Sequence, residues 1–478
     1  MIFPPIPEGG CLIGRRVIMT DEKEITAENV VSVLQKAMII HRANRSEIQY
    51  LWDYYRGKQP ILNREKDVRP EICNKIVENR ANEIVSFKSG YLMGEPLQYV
   101  GRGTNENITD DINLLNEYVF AEEKATKDKE LADWFHICGT AFRMVLPDEE
   151  GEQDESPFEI YTLDPRESFV VYSKALGHKP MMGVHYVTDE KGNEIYSCYT
   201  KNKYFEVHME SVVKEMGHIL GDIPIVEYPL NMARLGAFEL VLPLLDAINL
   251  TNSNRLDGIE QFIQALMVFY NIDISAPDYE ELRRQGALKV SDADPQMKAK
   301  VEYLINNMSQ AETQTLKDDM YQTVLEICGM PNRNGGTSTS DTGSAVIMRD
   351  GWSAAEARAK DSELMFKKSE RRLLKMILNV CRAMGALNLK VSNIEIRFTR
   401  RNYENITQKA QVLDLMLKNE KIHPQLAFAH SGMFVDPELA YTMSDERYQD
   451  LLKKAEQMEE KNETRTNSGN GTADRESA

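Results

Sequence analysis

The chain has 478 residues, which at roughly 150 residues per domain suggests about three domains, and 42% of them are hydrophobic, enough for a folded core. With 57 Lys and Arg against 75 Asp and Glu, its formal net charge is −18 at pH 7. That balance argues against a protein that wraps nucleic acid in a basic groove, and against an anionic membrane surface as the main partner.

The cysteines and the N-terminal residues indicate which cysteine-based sites and which cellular compartment to expect. The six cysteines lie far apart and form no Cys-x-x-Cys pair. Neither a disulfide framework nor a zinc knuckle is predicted, and a reducing compartment is favoured. Prolines interrupt the apolar start and no basic region precedes it, so we expect no signal peptide. The apolar run 265–270 is far shorter than a membrane span.

Patterns of catalytic residues are nearly absent. The sequence holds no G-x-x-x-x-G-K-[ST] phosphate loop, no H-E-x-x-H and no G-x-S-x-G. Gly101 and Gly103 begin a dinucleotide-type pattern that lacks its third glycine and indicates a turn, and the acidic run 147–156 is typical of a solvated hairpin tip. Scattered surface positions are the favoured interpretation of His178, His185, His208 and His218. We therefore expect no enzyme, no cofactor and no metal.

The N-terminal part is predicted to begin with helices. Apolar spacing indicates helices over 26–56, 74–89 and 110–138, with a short strand at 97–100 before the third. Thr26 is the expected N-cap of the first helix.

The chain then changes to alternating β-rich segments separated by turn residues, which predicts a small antiparallel sheet region. The expected strands are 142–146, 158–161, 168–172, 182–187, 194–199, 204–209 and 223–228.

A long helix is predicted over 236–262. Its first half has apolar residues at helical spacing, whereas its second half is polar from Asn249 to Asn254. One interpretation is that the polar face meets solvent inside an assembly, and the other is an ordinary surface helix. Pro243 either lies in the first turn or kinks the helix.

Two further helices are expected to begin with capping boxes. One opens at Ser309 with Glu312 and the other at Ser353 with Glu356, the second running to about Met384. The Gly/Ser/Thr-rich stretch 332–344 joins them. A long connection without core-forming side chains inside one domain is usually functional.

The C-terminal part is predicted to be mostly helical. A strand at 394–398 and, earlier in the chain, an apolar strand at 266–270 complete the β content. The expected helices are 403–419, 424–431 and 436–452, and the polar residues 453–478 are expected to be disordered.

Several short motifs follow one another along the chain. They are Tyr54-Tyr-Arg-Gly57, Asn74-Lys-Ile-Val-Glu-Asn-Arg-Ala81, Gly90-Tyr-Leu-Met-Gly-Glu-Pro96, Leu163-Asp-Pro-Arg-Glu167, Ile223-Pro-Ile-Val-Glu-Tyr228, Leu245-Asp-Ala-Ile-Asn249, Gly329-Met-Pro331 and Ser344-Ala-Val-Ile. Their ordered series resembles the portal (head–tail connector) proteins of tailed bacteriophages, in the branch typical of siphophages. The likeness covers roughly residues 35–450, and its specificity comes from the order and spacing of the motifs. Pro243 departs from what the family leads us to expect.

The resemblance implies an α+β subunit of a ring, commonly of twelve copies, around a channel for double-stranded DNA. Long stem helices, a β-rich wing, a small α/β clip and a helical crown would make up the subunit. The implied regions are a wing (1–235), a first stem helix (236–262), a clip (263–307), a second stem helix (308–331), a tunnel loop (332–352), a helix and strand that return to the wing (353–398), a crown (399–452) and a tail (453–478).

The resemblance also implies where each function would lie. The tunnel loop would approach DNA with Asn332, Arg333, Asn334, Gly335, Gly336, Thr337, Ser338, Ser340, Asp341, Ser344 and Arg349. Asn249, Asn252, Asn254 and Lys317 of the stem would line the channel, and Asp278, Glu280, Glu281, Arg283 and Arg284 of the clip would face partner proteins. An acidic lumen suits passage, since phosphate repulsion prevents tight binding.

The function implied is a structural portal at one capsid vertex, which serves DNA packaging and ejection. The partners implied are further copies of the chain, the terminase large subunit, the head–tail adaptor, and the major capsid and scaffolding proteins, with no membrane. The location implied is the virion, and the host cytoplasm during assembly. Two alternatives stay open: a metal-dependent enzyme that processes nucleic acid, and a protein-binding adaptor that forms no ring.

Overall fold

The computed structural model describes most of the chain. The described residues are 14–102, 106–148, 156–218, 220–263, 266–271, 277, 298, 300–304, 310–332, 351–399, 406–434 and 437–469.

Helices form the larger part of the described structure. They are α1 (Val30–Tyr55), α2 (Arg80–Leu92), α3 (Glu106–Ala121), α4 (Lys124–Cys138), α5 (Leu242–Ile263), α6 (Gln310–Cys328), α7 (Trp352–Ala383), α8 (Ile406–Leu417), α9 (Pro424–Ser431) and α10 (Pro437–Gly469). Within the described ranges, no helix combines the length and apolarity that crossing a membrane requires.

The strands are short and mostly antiparallel. They are β1 (Ile18–Thr20), β2 (Gln98–Gly101), β3 (Thr140–Pro147), β4 (Phe158–Leu163), β5 (Ser168–Ser173), β6 (Pro180–Thr188), β7 (Glu194–Tyr199), β8 (Lys203–His208), β9 (Ser211–Gly217), β10 (Ile225–Pro229), β11 (Leu266–Tyr270), β12 (Lys300–Leu304) and β13 (Ile394–Arg397).

These strands form a six-stranded sheet in the order β1-β5-β6-β7-β8-β9 and a three-stranded sheet in the order β10-β3-β4. β1 runs parallel to β5, and the other pairs are antiparallel. β11 pairs with β12, and β13 pairs with β2. The mixed helix and sheet fold predicted from the sequence is therefore confirmed.

Two large apolar cores lie on either side of the middle of α1. Val33 and Met38 in its first half pack with the inner face of the six-stranded sheet. Leu51 and Tyr54 in its second half belong to a larger core, which also takes residues from α2, α4, α5, α6, α7 and β3. A single 26-residue helix therefore ties the sheet to the helical body.

Gly183 lies where the six-stranded sheet packs on the segment that leads into β10. A Cβ atom at this position would lie 2.8 Å from Ile223 Cγ2 and 2.9 Å from Ile225 Cβ. Gly183→Ala is therefore expected to lower the free energy of unfolding by about 1–3 kcal/mol through overpacking. Gly90→Ala in α2 is the control, because nothing lies within 4 Å of its added Cβ and an alanine should raise helix stability by about 0.5–1 kcal/mol. Urea titration of both variants tests this pair, and equal effects would contradict it.

Several helix boundaries differ from the predictions. The helix predicted over 110–138 is two helices, α3 and α4, because Glu123 between them has a φ of 48°. The Thr26 cap is wrong, since α1 begins only at Val30 after Asn29. Of the two capping boxes, Ser309 lies outside the described residues. The box at Ser353 is wrong, because α7 begins at Trp352 after Gly351, which has a φ of 82°.

The C-terminal helix is longer than predicted. α10 continues to Gly469, so the disorder predicted from 453 is wrong as far as that residue. The polar composition of this stretch concealed strong helix formers such as Lys453, Ala455 and Glu456. Pro243 follows the first of its two predicted alternatives, since it lies in the first turn of α5.

Candidate functional site

α5 and α6 form a packed helix pair, and the chain between them includes the antiparallel strands β11 and β12. Arg255 of α5 donates to the side-chain oxygens of Gln310 (3.2 Å) and Gln314 (2.7 Å) of α6. The second half of α6 enters the larger core through Val324 and Cys328. The helix pair is thus anchored in the helical body at one end, and at the other β11 follows α5 and β12 precedes α6.

The polar half of α5 binds the backbone of the segment that precedes α2. Asn249 Oδ1 accepts from the N–H of Glu78 (2.8 Å), and Ser253 Oγ accepts from the N–H of Ile76 (3.0 Å). Asp257 Oδ1 accepts from the N–H of Asn74 at 2.8 Å. We call this set of contacts the polar seam.

In the polar seam, the four-residue spacing of the acceptors on α5 matches the two-residue spacing of the N–H groups on the extended segment. Four residues of a helix rise about 6 Å, and two residues of extended chain advance about 6.6 Å. Every fourth side chain of α5 therefore meets every second N–H of the segment 74–78, and the two run in opposite directions. These contacts satisfy backbone donors that a helix would have satisfied internally, which explains why the helix predicted over 74–89 begins only at Arg80.

Charged groups reinforce both ends of the polar seam. Asp257 lies 2.9 Å from Arg64 and 3.0 Å from Lys66. Burial would raise the pKa of Asp257, but the hydrogen bonds from Asn74 and Lys66 and the charge of Arg64 hold it below its ordinary value. The carboxylate is therefore charged at neutral pH.

Glu78 closes the other end of the polar seam. It pairs with Lys317 of α6 at 2.9 Å and accepts from Asn252 at 2.5 Å. Burial would raise the pKa of Glu78, but these partners and Arg80 hold it below its ordinary value. One carboxylate thus joins α5, α6 and the segment before α2.

The stem residues predicted to line a channel all contribute to these contacts. Asn249 is 0% exposed, and its amide donates to Gln59, so the prediction for this residue is wrong. Asn252 and Lys317 bind Glu78, and Asn254 accepts from Arg64 at 2.5 Å. These three are partly buried and stay predictions. Sequence reasoning missed Asn74 and Gln59, although the four-residue spacing of Asn249, Ser253 and Asp257 was a signal for a polar contact.

The exposed side of α6 is acidic. Its solvent-facing positions include Glu312, Asp318, Asp319 and Glu326. Lys317 is the only basic residue of the helix, and Glu78 holds it. Any surface that the exposed side of α6 faces therefore meets carboxylates.

The ends of the segment 333–350 lie beside each other. α6 stops at Gly329, whose φ is 63°, and Lys88 of α2 donates to the carbonyl of Cys328 at 2.7 Å. A Cβ atom on Gly351 would lie 3.7 Å from Cα of Pro331. The described residues on either side of this segment, Pro331 and Gly351, are therefore close together in the fold.

Most of the predicted loop and clip residues lie outside the described residues. Asn332 is described and is half-buried. The others are Arg333, Asn334, Gly335, Gly336, Thr337, Ser338, Ser340, Asp341, Ser344 and Arg349 of the loop, and Asp278, Glu280, Glu281, Arg283 and Arg284 of the clip. Their roles stay predictions.

A cluster of charges lies inside the protein on α7, the helix that follows this loop. Glu370 accepts from the hydroxyl groups of Tyr99 (2.5 Å) and Tyr228 (2.6 Å) and lies 2.9 Å from Lys124 Nζ. Asp128 binds Lys124 at 2.8 Å and Arg143 at 2.5 Å. We call these six side chains the buried joint, and each is almost completely buried.

The charges of the buried joint stabilise one another, as expected of a cluster that holds elements of the fold together. Burial would raise the pKa of Glu370, but Lys124 and Arg143 hold it well below its ordinary value. Burial beside this carboxylate raises the pKa of Tyr99 and Tyr228 well above the ordinary value. The joint holds two cations against two anions. Among the described residues, no group of three or more His, Cys, Asp or Glu side chains could hold a metal.

Comparisons with known proteins agree with the resemblance. The family described as phage portal protein, SPP1 Gp6-like, matches residues 36–468. No curated protein sequence matches the chain.

The solved structures that match the chain include three from gene transfer agent (GTA) particles. A chain of the virion of the native particle is 12% identical with a TM-score of 0.45, covering 81% of this chain and 94% of its own. A chain from the neck of the empty particle, computed with C6 symmetry, is 12% identical with a TM-score of 0.44, covering 74% and 90%. A chain from the neck of the native particle, computed with C12 symmetry, gives 12% and 0.42, covering 74% and 89%.

Proposed function

We propose that this chain, which belongs to the SPP1 Gp6-like phage portal protein family, surrounds with its copies a channel through which double-stranded DNA enters and leaves the capsid. Membership of the family confirms the function predicted from the sequence, a portal protein of the virion that forms a ring at one capsid vertex. The family is a structural one. We further propose twelve copies in the ring.

The observation that best supports the proposed DNA channel is that the exposed side of α6 is acidic. Tight binding to DNA needs clustered Lys and Arg that neutralise phosphates and release counterions. α6 presents the exposed carboxylate of Asp318, and its single Lys317 is held by Glu78. With Asp318 turned to the lumen, the wall of the channel repels phosphate and lets DNA slide past.

The segment 332–352 supports a second part of this proposal. Because its two ends lie together beside Pro331 and Gly351, the segment can project from the ring without changing the helices that flank it. Its Asn, Ser and Thr side chains, with Arg333 and Arg349, can touch DNA without gripping it. We therefore assign it the role of a tunnel loop.

The remaining regions have proposed roles as well. Residues 1–235 and 353–398 form the wing, and 236–262 and 308–331 form the stem. The clip, 263–307, binds the terminase large subunit during packaging and the head–tail adaptor afterwards, with Asp278, Glu280, Glu281, Arg283 and Arg284 on its partner surface. The crown, 399–452, lies inside the capsid. Major capsid and scaffolding proteins contact the ring while it assembles in the host cytoplasm.

Shortening the loop tests the proposal. Deleting residues 335–344 is expected to leave rings in negative-stain images and to abolish packaging or retention of DNA, because the deleted stretch of Gly, Ser, Thr and Asp has no core-forming side chain. Deleting residues 470–478, a change of similar length, is the control and should leave both unchanged. Loss of the ring in the loop deletion would show a structural role for the loop. Monomers or dimers of the unaltered chain at every salt concentration would contradict the ring.

A further inference from the structure

The exposed face of α7 carries a row of cations. Lys360, Lys368, Arg371 and Lys375 are exposed, and their spacing places them on one side of the helix together with Leu364. The row from 360 to 375 extends about 22 Å along the helix axis. We call it the basic stripe.

The two cations in the middle of the basic stripe have no carboxylate partner in the described part of the chain, whereas the two at its ends do. Lys360 lies 3.7 Å from Glu356, and Lys375 lies 3.5 Å from Asp222. In the described part of the chain, Lys368 and Arg371 have neither an ion pair nor a hydrogen bond from their side chains. The protein has a net charge of −18, yet these two neighbouring cations have no carboxylate beside them among the described residues. This indicates that a binding partner supplies the carboxylates.

An apolar side chain lies within the basic stripe. Leu364 is 67% exposed and lies four residues from both Lys360 and Lys368. Exposed leucines occur singly on many surfaces, but one enclosed by cations is typical of the centre of a protein interface with a charged rim.

α6 carries the matching surface. Glu312, Asp319 and Glu326 are exposed and recur at seven-residue intervals, so they lie in a row about 21 Å long. Leu316 (53% exposed) and Ile327 (43% exposed) flank this row. We call the three carboxylates the acidic stripe. Asp318, the residue proposed to face the lumen, points about 100° away from Asp319 around the helix.

We propose that the basic stripe of one copy binds the acidic stripe of the next copy, with Leu364 packed against Leu316 or Ile327. This inference rests on the ring of the proposed function. A ring interface is heterologous, so each chain must carry two different surfaces that fit each other. α6 and α7 supply two rows of opposite charge, of nearly equal length, each with an exposed apolar residue beside it.

Double-stranded DNA is the other polyanion that a basic stripe could bind. Two observations favour a second copy of the chain. The complementary acidic stripe is present on the same protein. The phosphate backbone of DNA offers no apolar surface that would contact the exposed Leu364 within the row. The experiment must therefore distinguish binding of DNA from binding of a second copy of the chain.

A charge-swap experiment tests the pairing. Lys368→Glu with Arg371→Glu is expected to lower the fraction of subunits in rings about tenfold or more, as is Asp319→Lys with Glu326→Lys. Combining all four substitutions should restore rings, because the charges are exchanged. Glu and Lys both favour helices, so α6 and α7 should persist, as circular dichroism can verify. The readouts are negative-stain images and light scattering after size exclusion.

The matched controls reverse the same number of charges, with the same signs, at other positions of the chain. Lys179→Glu with Lys191→Glu, and Glu22→Lys with Glu190→Lys, alter exposed residues away from α6 and α7 and should leave rings unchanged. Where a reversed variant fails to fold, Lys368→Gln with Arg371→Gln takes its place and should make the rings dissociate at lower salt than the unaltered ring.

The outcomes separate this inference from the proposed function. Absence of rings from the unaltered chain contradicts the proposed function itself. Rings that persist in both reversed variants, or that do not return in the combined variant, overturn the stripe pairing and leave the ring standing. Rings that persist in the Lys368 and Arg371 variant, with loss of salt-dependent binding to a short DNA duplex, assign the basic stripe to DNA and overturn the pairing.

Discussion

Replacing Glu370 by glutamine is expected to lower the free energy of unfolding of the helical body by about 3–5 kcal/mol, the cost of breaking a buried ion pair from one side. The substitution keeps the shape of the side chain and removes its charge. Lys124 and Arg143 would then share the single carboxylate of Asp128 inside the protein. The side-chain N–H groups of the glutamine would also replace an oxygen that now accepts hydrogen bonds.

Hydrogen exchange of the amides around Glu370 in α7 measures this effect directly. At about 1.4 kcal/mol per tenfold change, the protection of these amides should fall by roughly two to four orders of magnitude. Asp361→Asn is the matched control, because it makes the same carboxylate-to-amide change at an exposed position of the same helix and should cost less than about 0.5 kcal/mol. Equal protection in the two variants would show that the buried joint adds no stability.

The position of the buried joint gives it a consequence for the loop. Glu370 lies on the helix that receives the chain from residues 332–350, and Tyr99, Lys124 and Tyr228 lie on β2, α4 and β10. The joint therefore holds α7 against the elements proposed to form the wing. Because α7 also receives the chain from residues 332–350, breaking the buried joint is expected to loosen the attachment of the helix that follows this segment.

Much of the fold could be predicted from the sequence, because its signals are local. Alternation of apolar and polar residues predicted the strands from β3 to β8, and the helices α1, α7 and α9 were predicted to within a few residues. α5 begins six residues later than predicted. β9 was missed because its residues are almost all exposed and no alternation marks it. The break at Glu123 was missed because no glycine, proline or asparagine signals it.

The candidate site could be predicted only in part, because its contacts join distant parts of the chain. Asn249 meets Glu78 across 171 residues, and Tyr99 meets Glu370 across 271. A polar face on a helix indicates that something polar covers it, but the sequence alone does not distinguish solvent from the backbone of another segment. Asn249 was assigned to a channel for this reason, whereas the ordered series of motifs identified the family correctly.

The polar seam carries the second large effect, which Asp257→Ala should reveal. The substitution removes the acceptor of the Asn74 N–H and the carboxylate that Arg64 and Lys66 share. Leaving a buried donor and two partly buried cations without a partner is expected to cost about 2–4 kcal/mol. The segment 74–78 should then separate from α5, which limited proteolysis can detect as new cleavage between Lys66 and Arg80.

The pH dependence distinguishes the charge of Asp257 from its size. Because the folded-state pKa of Asp257 lies below its ordinary value, its stabilisation is fully present above the unfolded pKa, about 4, and is lost as the pH falls through the folded pKa. The difference in stability between the unaltered chain and Asp257→Ala should therefore be constant near neutral pH and shrink below about pH 4. Asp318→Ala on the exposed side of α6 is the control and should cost less than about 0.5 kcal/mol. A difference that stays constant down to the acid limit would mean that packing, and not the carboxylate charge, holds the segment to α5.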